Sequence, residues 1–66
     1  MDRRFAKFTE MTFDYHGEPK SSNKLMVDTS KILAIRETDS GTEIITAEEN
    51  FDVTEFFEDV RKILAI

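Results

Sequence analysis

FDVTEFFEDVRKILAI, residues 51–66, carries apolar side chains at Val53, Phe56, Phe57, Val60, Ile63 and Leu64. The spacing i, i+3, i+4, i+7, i+10, i+11 is one stripe of an α-helix and predicts an amphipathic helix over about 53–65. Asp52 followed three residues later by Glu55 matches a capping box. Phe51 and Phe56 stand where a hydrophobic staple would join N′ to N4, and Thr54 is a competing cap. Glu55, Glu58 and Asp59 precede Arg61 and Lys62, the order the helix dipole favours, and Glu58 with Lys62 makes an i,i+4 pair. A helix of about 13 residues is marginal in water, so its stripe must be buried on something. The remaining chain offers a sheet. Phe56, Phe57, Val60 and Leu64 are expected to meet Met11, Phe13, Leu33, Ile35 and Ile44.

Upstream of the helix the apolar period shortens to two. Met11, Phe13 and Tyr15 alternate with Thr12 and Asp14, predicting a strand over about 5–15. Phe5 and Phe8 break the alternation, which implies a bulge or a start nearer Phe8. His16 to Lys24 holds Gly17, Pro19, Ser21, Ser22 and Asn23, and reads as a loop, long for a hairpin. A short strand over 25–27 is followed by Asp28-Thr29-Ser30, whose side chains favour a kink. A strand over 31–38 comes next, with Leu33 and Ile35 on one face and Ile32 and Ala34 on the other. Asp39-Ser40-Gly41 reads as a turn with glycine supplying a positive φ, leading to a return strand over 43–47. Glu48-Glu49-Asn50 is a second turn in which asparagine tolerates the left-handed conformation, before a short last strand over 51–53. The expected class is α+β: a small antiparallel sheet of three or four strands packed on one C-terminal helix, as a single domain over 1–66.

Composition narrows the setting. Sixty-six residues suffice for one core, and 39% hydrophobic residues with two glycines and one proline exclude a disordered chain. The absence of cysteine rules out disulfides and thiolate metal sites and suits a reducing cytoplasm. No apolar run approaches the roughly 20 residues a membrane helix needs, and Met1-Asp2-Arg3-Arg4-Phe5 does not lead into a secretory signal. The expected location is cytoplasmic. A net charge of −5 disfavours nucleic acid as a partner, because phosphate binding draws on Lys and Arg.

The order of features from Phe8 to Val60 resembles the small flagellar and swarming-motility proteins of the FlbD type and related short bacterial or phage proteins. The likeness rests on an opening strand ending near Gly17, on Val27-Asp28-Thr29-Ser30-Lys31-Ile32, and on Ile35 with a polar hairpin to Thr42-Glu43-Ile44-Ile45. Val53-Thr54-Glu55 then runs into Glu58-Asp59-Val60. The family commonly has an asparagine near Asp28, a glycine turn near Asn50 and a serine near Phe56, and this chain departs at all three. The resemblance implies a compact accessory protein that modulates a larger machine without cofactor or catalytic residues.

Catalytic patterns are missing. His16 is the single histidine; with Asp14 and Glu18 it could hold a metal, but a solvated loop histidine is the simpler reading. His16 beside Ser21 and Ser22 has no orienting scaffold for nucleophilic catalysis, and two separated glycines make no phosphate cradle. Phe5, Phe8, Phe13 and Tyr15 with Arg3, Arg4 and Lys7 could stack bases and hold phosphates, although six phenylalanines in a chain this short are mostly needed for packing.

Charge placement is the feature above background. Glu37, Asp39, Glu43, Glu48, Glu49, Asp52, Glu55, Glu58 and Asp59 follow one another with no lysine or arginine between them. If folding gathers the turns and the helix start, they form one acidic end. The expectation is a non-enzymatic protein-interaction module, an accessory regulator docking this acidic patch on a basic protein partner. The alternative is a phage-encoded inhibitor whose carboxylates imitate nucleic-acid phosphates on a host enzyme. No cofactor or metal is expected, and exposed sheet edges leave a homodimer open.

Overall fold

The computed structural model describes residues 4–66, excepting the side chains of Pro19, Ser21 and Ser22. Five antiparallel strands precede one helix: β1 (Phe5–Phe13), β2 (Pro19–Asp28), β3 (Ile32–Glu37), β4 (Thr42–Thr46), β5 (Asn50–Val53) and α1 (Phe57–Leu64), with a 3-10 turn at Thr29–Lys31. The strand order is β2-β1-β5-β4-β3. In a flat sheet the edges β2 and β3 would stand about 19 Å apart. The 3-10 turn that joins them advances only about 6 Å, so the sheet must roll until its edges approach. The core confirms the roll: Val27 on edge strand β2 packs in one cluster with Ala6, Phe8, Ile44, Val53 and Val60.

Two register shifts decide which side chains enter that core. On β1, Ala6 and Phe8 point inward; the shift between Glu10 and Thr12 then turns Met11 inward instead of residue 10. On β3, the shift between Ile32 and Ala34 brings Ile32 and Ile35 against the core and leaves Leu33 outside, 71% exposed. The expected core is corrected accordingly. Met11 and Ile44 are buried and Ile35 packs on the cluster, but Leu33, Phe13 and Phe56 are exposed.

The sheet has five strands where three or four were expected: the short last strand forms as β5, and the strand expected at 25–27 is the end of a longer β2 that takes in most of the segment read as a loop from His16 to Lys24. The reversal occupies only residues 14–18. Asp14 Oδ1 accepts from the His16 and Glu18 amides at 2.8 and 3.0 Å, and Gly17 takes φ +77°. Beyond it, β1 and β2 form a long hairpin, and the pair that bridges β1 to β5 is Glu10 with Val53, well short of the hairpin tip. The molecule is accordingly elongated, 41 Å by 19 Å by 19 Å. The expected kink at Asp28 is the 3-10 turn, capped by Asp28 Oδ1 accepting from the Ser30 amide at 3.0 Å and its hydroxyl at 2.7 Å.

Two turns differ from expectation. Gly41 has no positive φ; glycine is needed there because a Cβ would stand 2.1 Å from the Val53 carbonyl oxygen. Asn50 is not left-handed but begins β5, and the preceding turn is closed by Thr46, whose hydroxyl oxygen accepts from the Glu49 amide at 3.1 Å.

The helix is shorter than 53–65. Val53 is fully buried as a β5 residue, paired with both Thr42 and Glu10. The ladder continues past it: the Thr54 amide donates to the Thr9 carbonyl at 2.9 Å, and the Thr9 amide donates to both Glu55 carboxylate oxygens, at 3.0 and 3.2 Å. Residues 53–55 thus complete strand pairing rather than open a helix. The capping box and staple do not form; Phe56 is the N-cap, without a side-chain cap bond, and Ala65 closes the C-terminus in the left-handed conformation. Helix α1 lies against β3, burying Val60 fully and Leu64 in part.

Candidate functional site

The nine acidic residues do not gather at one end. Thr38–Gly41 and the turn after Thr46 cap opposite ends of β4, whose five residues span about 17 Å. At the first end, Gly41 packs on the Val53 carbonyl and the buried Thr42 hydroxyl donates to the Glu55 carbonyl at 2.8 Å. Those contacts hold the β3–β4 turn, which carries Asp39, against residues 53–55, just before α1 with its Glu58 and Asp59. At the other end, Glu48 and Glu49 stand with Asp28 and Lys31 around a small open concavity of about 120 Å³, floored by Val27 and Phe51.

Four of the nine are committed inside the fold. Glu55 holds the Thr9 amide. Glu43 faces Arg36 across β3–β4, accepting from its Nε at 2.9 Å and from its Nη2, and also accepts from Asn50 Nδ2 at 3.2 Å. These bonds offset the repulsion from Asp52, which lies directly opposite Glu43 on β5. The Arg36 guanidinium holds the Glu43 carboxyl below the ordinary carboxylate range. Glu48 pairs with Lys31 at 3.3 Å, and Glu58 with Arg61 at 2.9 Å, an i,i+3 pair in place of the expected Glu58–Lys62. Asp28 is also lowered, chiefly by the Ser30 hydroxyl. Glu37, Asp39, Glu49 and Asp59 are exposed and Asp52 is half-buried.

Charge nevertheless divides sharply between the two parts of the chain. Residues 4–28 hold four basic and four acidic side chains, whereas residues 29–66 hold four basic and nine acidic ones. In that second part Lys31, Arg36 and Arg61 are each tied to a carboxylate. The same part exposes Leu33, Phe56 (70%), Ile63 (45%) and Ile66. Phe56 and Ile63 lie two helical turns apart, and Asp59 stands three residues from the first.

His16 is exposed at the hairpin tip, its ring edge-on to Tyr15 with centroids 6.2 Å apart. Among the described residues, no group of three His, Cys, Asp or Glu side chains is placed to hold a metal ion. No described helix is long and apolar enough to cross a membrane. Of the groups weighed for base stacking, Phe8 is 1% exposed and belongs to the core, while Phe5, Phe13 and Tyr15 are outside. Arg3 lies outside the described residues, as do the Ser21 and Ser22 side chains.

The hairpin arm is what sequence reasoning missed. Its signal was Asp14 followed by Gly17, the i and i+3 residues of a tight turn, with Lys20 and Lys24 at even spacing beyond. No family model, curated protein or solved structure matches this chain.

Proposed function

We propose that the chain is a non-enzymatic accessory module that docks on a basic protein surface through the acidic part formed by residues 29–66. The observation that carries this reading is the charge division: the whole excess of negative charge falls in a part whose arginines, and Lys31, are already paired. Exposed Phe56 and Ile63, with exposed Asp59 on the same helix, supply the apolar centre and charged rim that protein interfaces use. The spread of carboxylates over both ends of β4 favours docking over imitation of a phosphate backbone, which needs a continuous row. Kinship with FlbD-type proteins gains no support from the comparisons, and the proposal does not rest on it.

The test is affinity capture from the cells that encode the chain, with the unmodified domain beside a variant carrying Glu37→Lys, Asp39→Lys and Asp59→Lys. None of the three is held by a bond in the fold, so circular dichroism should be unchanged. A protein captured by the first and lost by the second supports the proposal. Equal capture by both removes the acidic part from the interface.

A further inference from the structure

Lys7, Lys20 and Lys24 share one face of the β1–β2 hairpin. Burial of Ala6, Phe8 and Val27 fixes the inner face, so Phe5, Lys7 and Thr9 on β1 and Lys24 and Met26 on β2 face outward. The register shift turns Met11 inward, which puts Thr12, and Lys20 directly opposite it, on that same outer face. Lys7 lies across from Met26 and Lys24 across from Thr9, a diagonal of about 7–8 Å. All three lysines are exposed, and no carboxylate among the described residues pairs with them. Of the acids beside this face, Asp14 is engaged by the turn amides and Asp28, directly opposite Phe5, by Ser30, while exposed Glu18 stands two residues before Lys20. Phe5 (56% exposed) and Met26 (58%) add exposed apolar surface, Met26 at the rim of the concavity that Glu48 and Glu49 also line.

Among the described residues, three lysines without a carboxylate partner thus share one strand face, beside an exposed ring. We infer that the outer face of the β1–β2 hairpin binds single-stranded nucleic acid, with phosphates on Lys7, Lys20 and Lys24 and a base stacked on Phe5. The net charge of −5 does not oppose this, because its excess lies in residues 29–66. Lysines supply the sequence-independent attraction, and an aromatic face accepts any base. The inference is independent of the docking surface proposed above.

The experiment is fluorescence anisotropy of a labelled oligouridylate of about 12 nucleotides, titrated with the whole chain between about 50 and 200 mM salt. Three phosphate contacts predict a slope of log K against log salt near −2. Lys24→Gln should reduce that slope by about 0.7. Phe5→Ala should weaken binding about 5- to 150-fold and leave the slope unchanged. Lys62→Gln, on α1, should change neither. Absence of binding at the lowest salt overturns the inference, as does binding indifferent to both hairpin variants. Displacement of the oligonucleotide by poly-glutamate, together with full binding by Phe5→Ala, would overturn it in favour of an acidic protein ligand.

Discussion

The β1–β2 hairpin and the β3–β5 sheet with α1 are built from the same antiparallel pairing, yet they dispose of their charges in opposite ways. In the second region Lys31, Arg36 and Arg61 each meet a carboxylate, Glu55 is held by the Thr9 amide, and five acids are left over. In the hairpin Asp14 and Asp28 are engaged by turn amides and the Ser30 hydroxyl, and Lys7, Lys20 and Lys24 have no carboxylate partner among the described residues, although Glu10 and Glu18 lie on the same two strands and turn. The contrast follows from local structure. Short turns need carboxylate acceptors, which withdraws acids from ion pairing, whereas adjacent strands β3, β4 and β5 set Arg36, Glu43 and Asp52 in one lateral row. A domain that is acidic overall therefore joins one acidic region to a charge-balanced hairpin whose outer face carries three lysines.

The largest expected effect comes where the two regions join. Phe8 of β1 and Ile44 of β4 meet in the shared core at 1% and 0% exposure. Phe8→Ala should cost about 3–5 kcal/mol and Ile44→Ala about 2–5 kcal/mol. Against the few kcal/mol a core of this size supplies, urea titration should find Phe8→Ala largely unfolded. Gly41→Ala comes next: the new Cβ must push the β3–β4 turn away from the Val53 carbonyl, at about 1–3 kcal/mol by thermal melting.

Acid should act on both regions. Asp28 in the hairpin and Glu43 in the body have carboxyls lowered from 3.8 and 4.5. A lowered folded value means their stabilisation is complete above the unfolded value and is lost as pH falls through the folded one. Stability should therefore decline below about pH 4.5, and Glu43→Gln should flatten the decline, as urea midpoints at successive pH values would show. The smallest effects belong to residues that helical or strand spacing marks as core. Phe56→Ala and Leu33→Ala should each change stability by no more than about 0.5 kcal/mol, despite their size.

Those residues also show how far the fold was legible. The α+β class, the β3–β4 hairpin and a C-terminal helix follow from turn residues and apolar period. Leu33 was misplaced because a register shift exchanges faces without any trace in composition, and Phe13 because it follows Met11 on the outer part of the hairpin, beyond the β1–β5 bridge at Glu10. The helix start was misplaced because Val53-Thr54-Glu55 satisfies both periods, and only pairing with Thr9, more than 40 residues away in the chain, decides between them. β2 was hidden because Pro19, Ser21, Ser22 and Asn23 are turn-formers on an edge strand, where proline and polar residues are tolerated. The acidic excess was readable by counting, but its distribution over two ends of β4 was not.

The most direct test of the division of labour is hydrogen–deuterium exchange of the domain, free and bound to the captured protein partner. The account predicts slowed exchange over 36–42 and 54–63, with the hairpin from 11 to 24 unchanged. Slowing confined to the hairpin, with the acidic region exchanging as in the free domain, would contradict it.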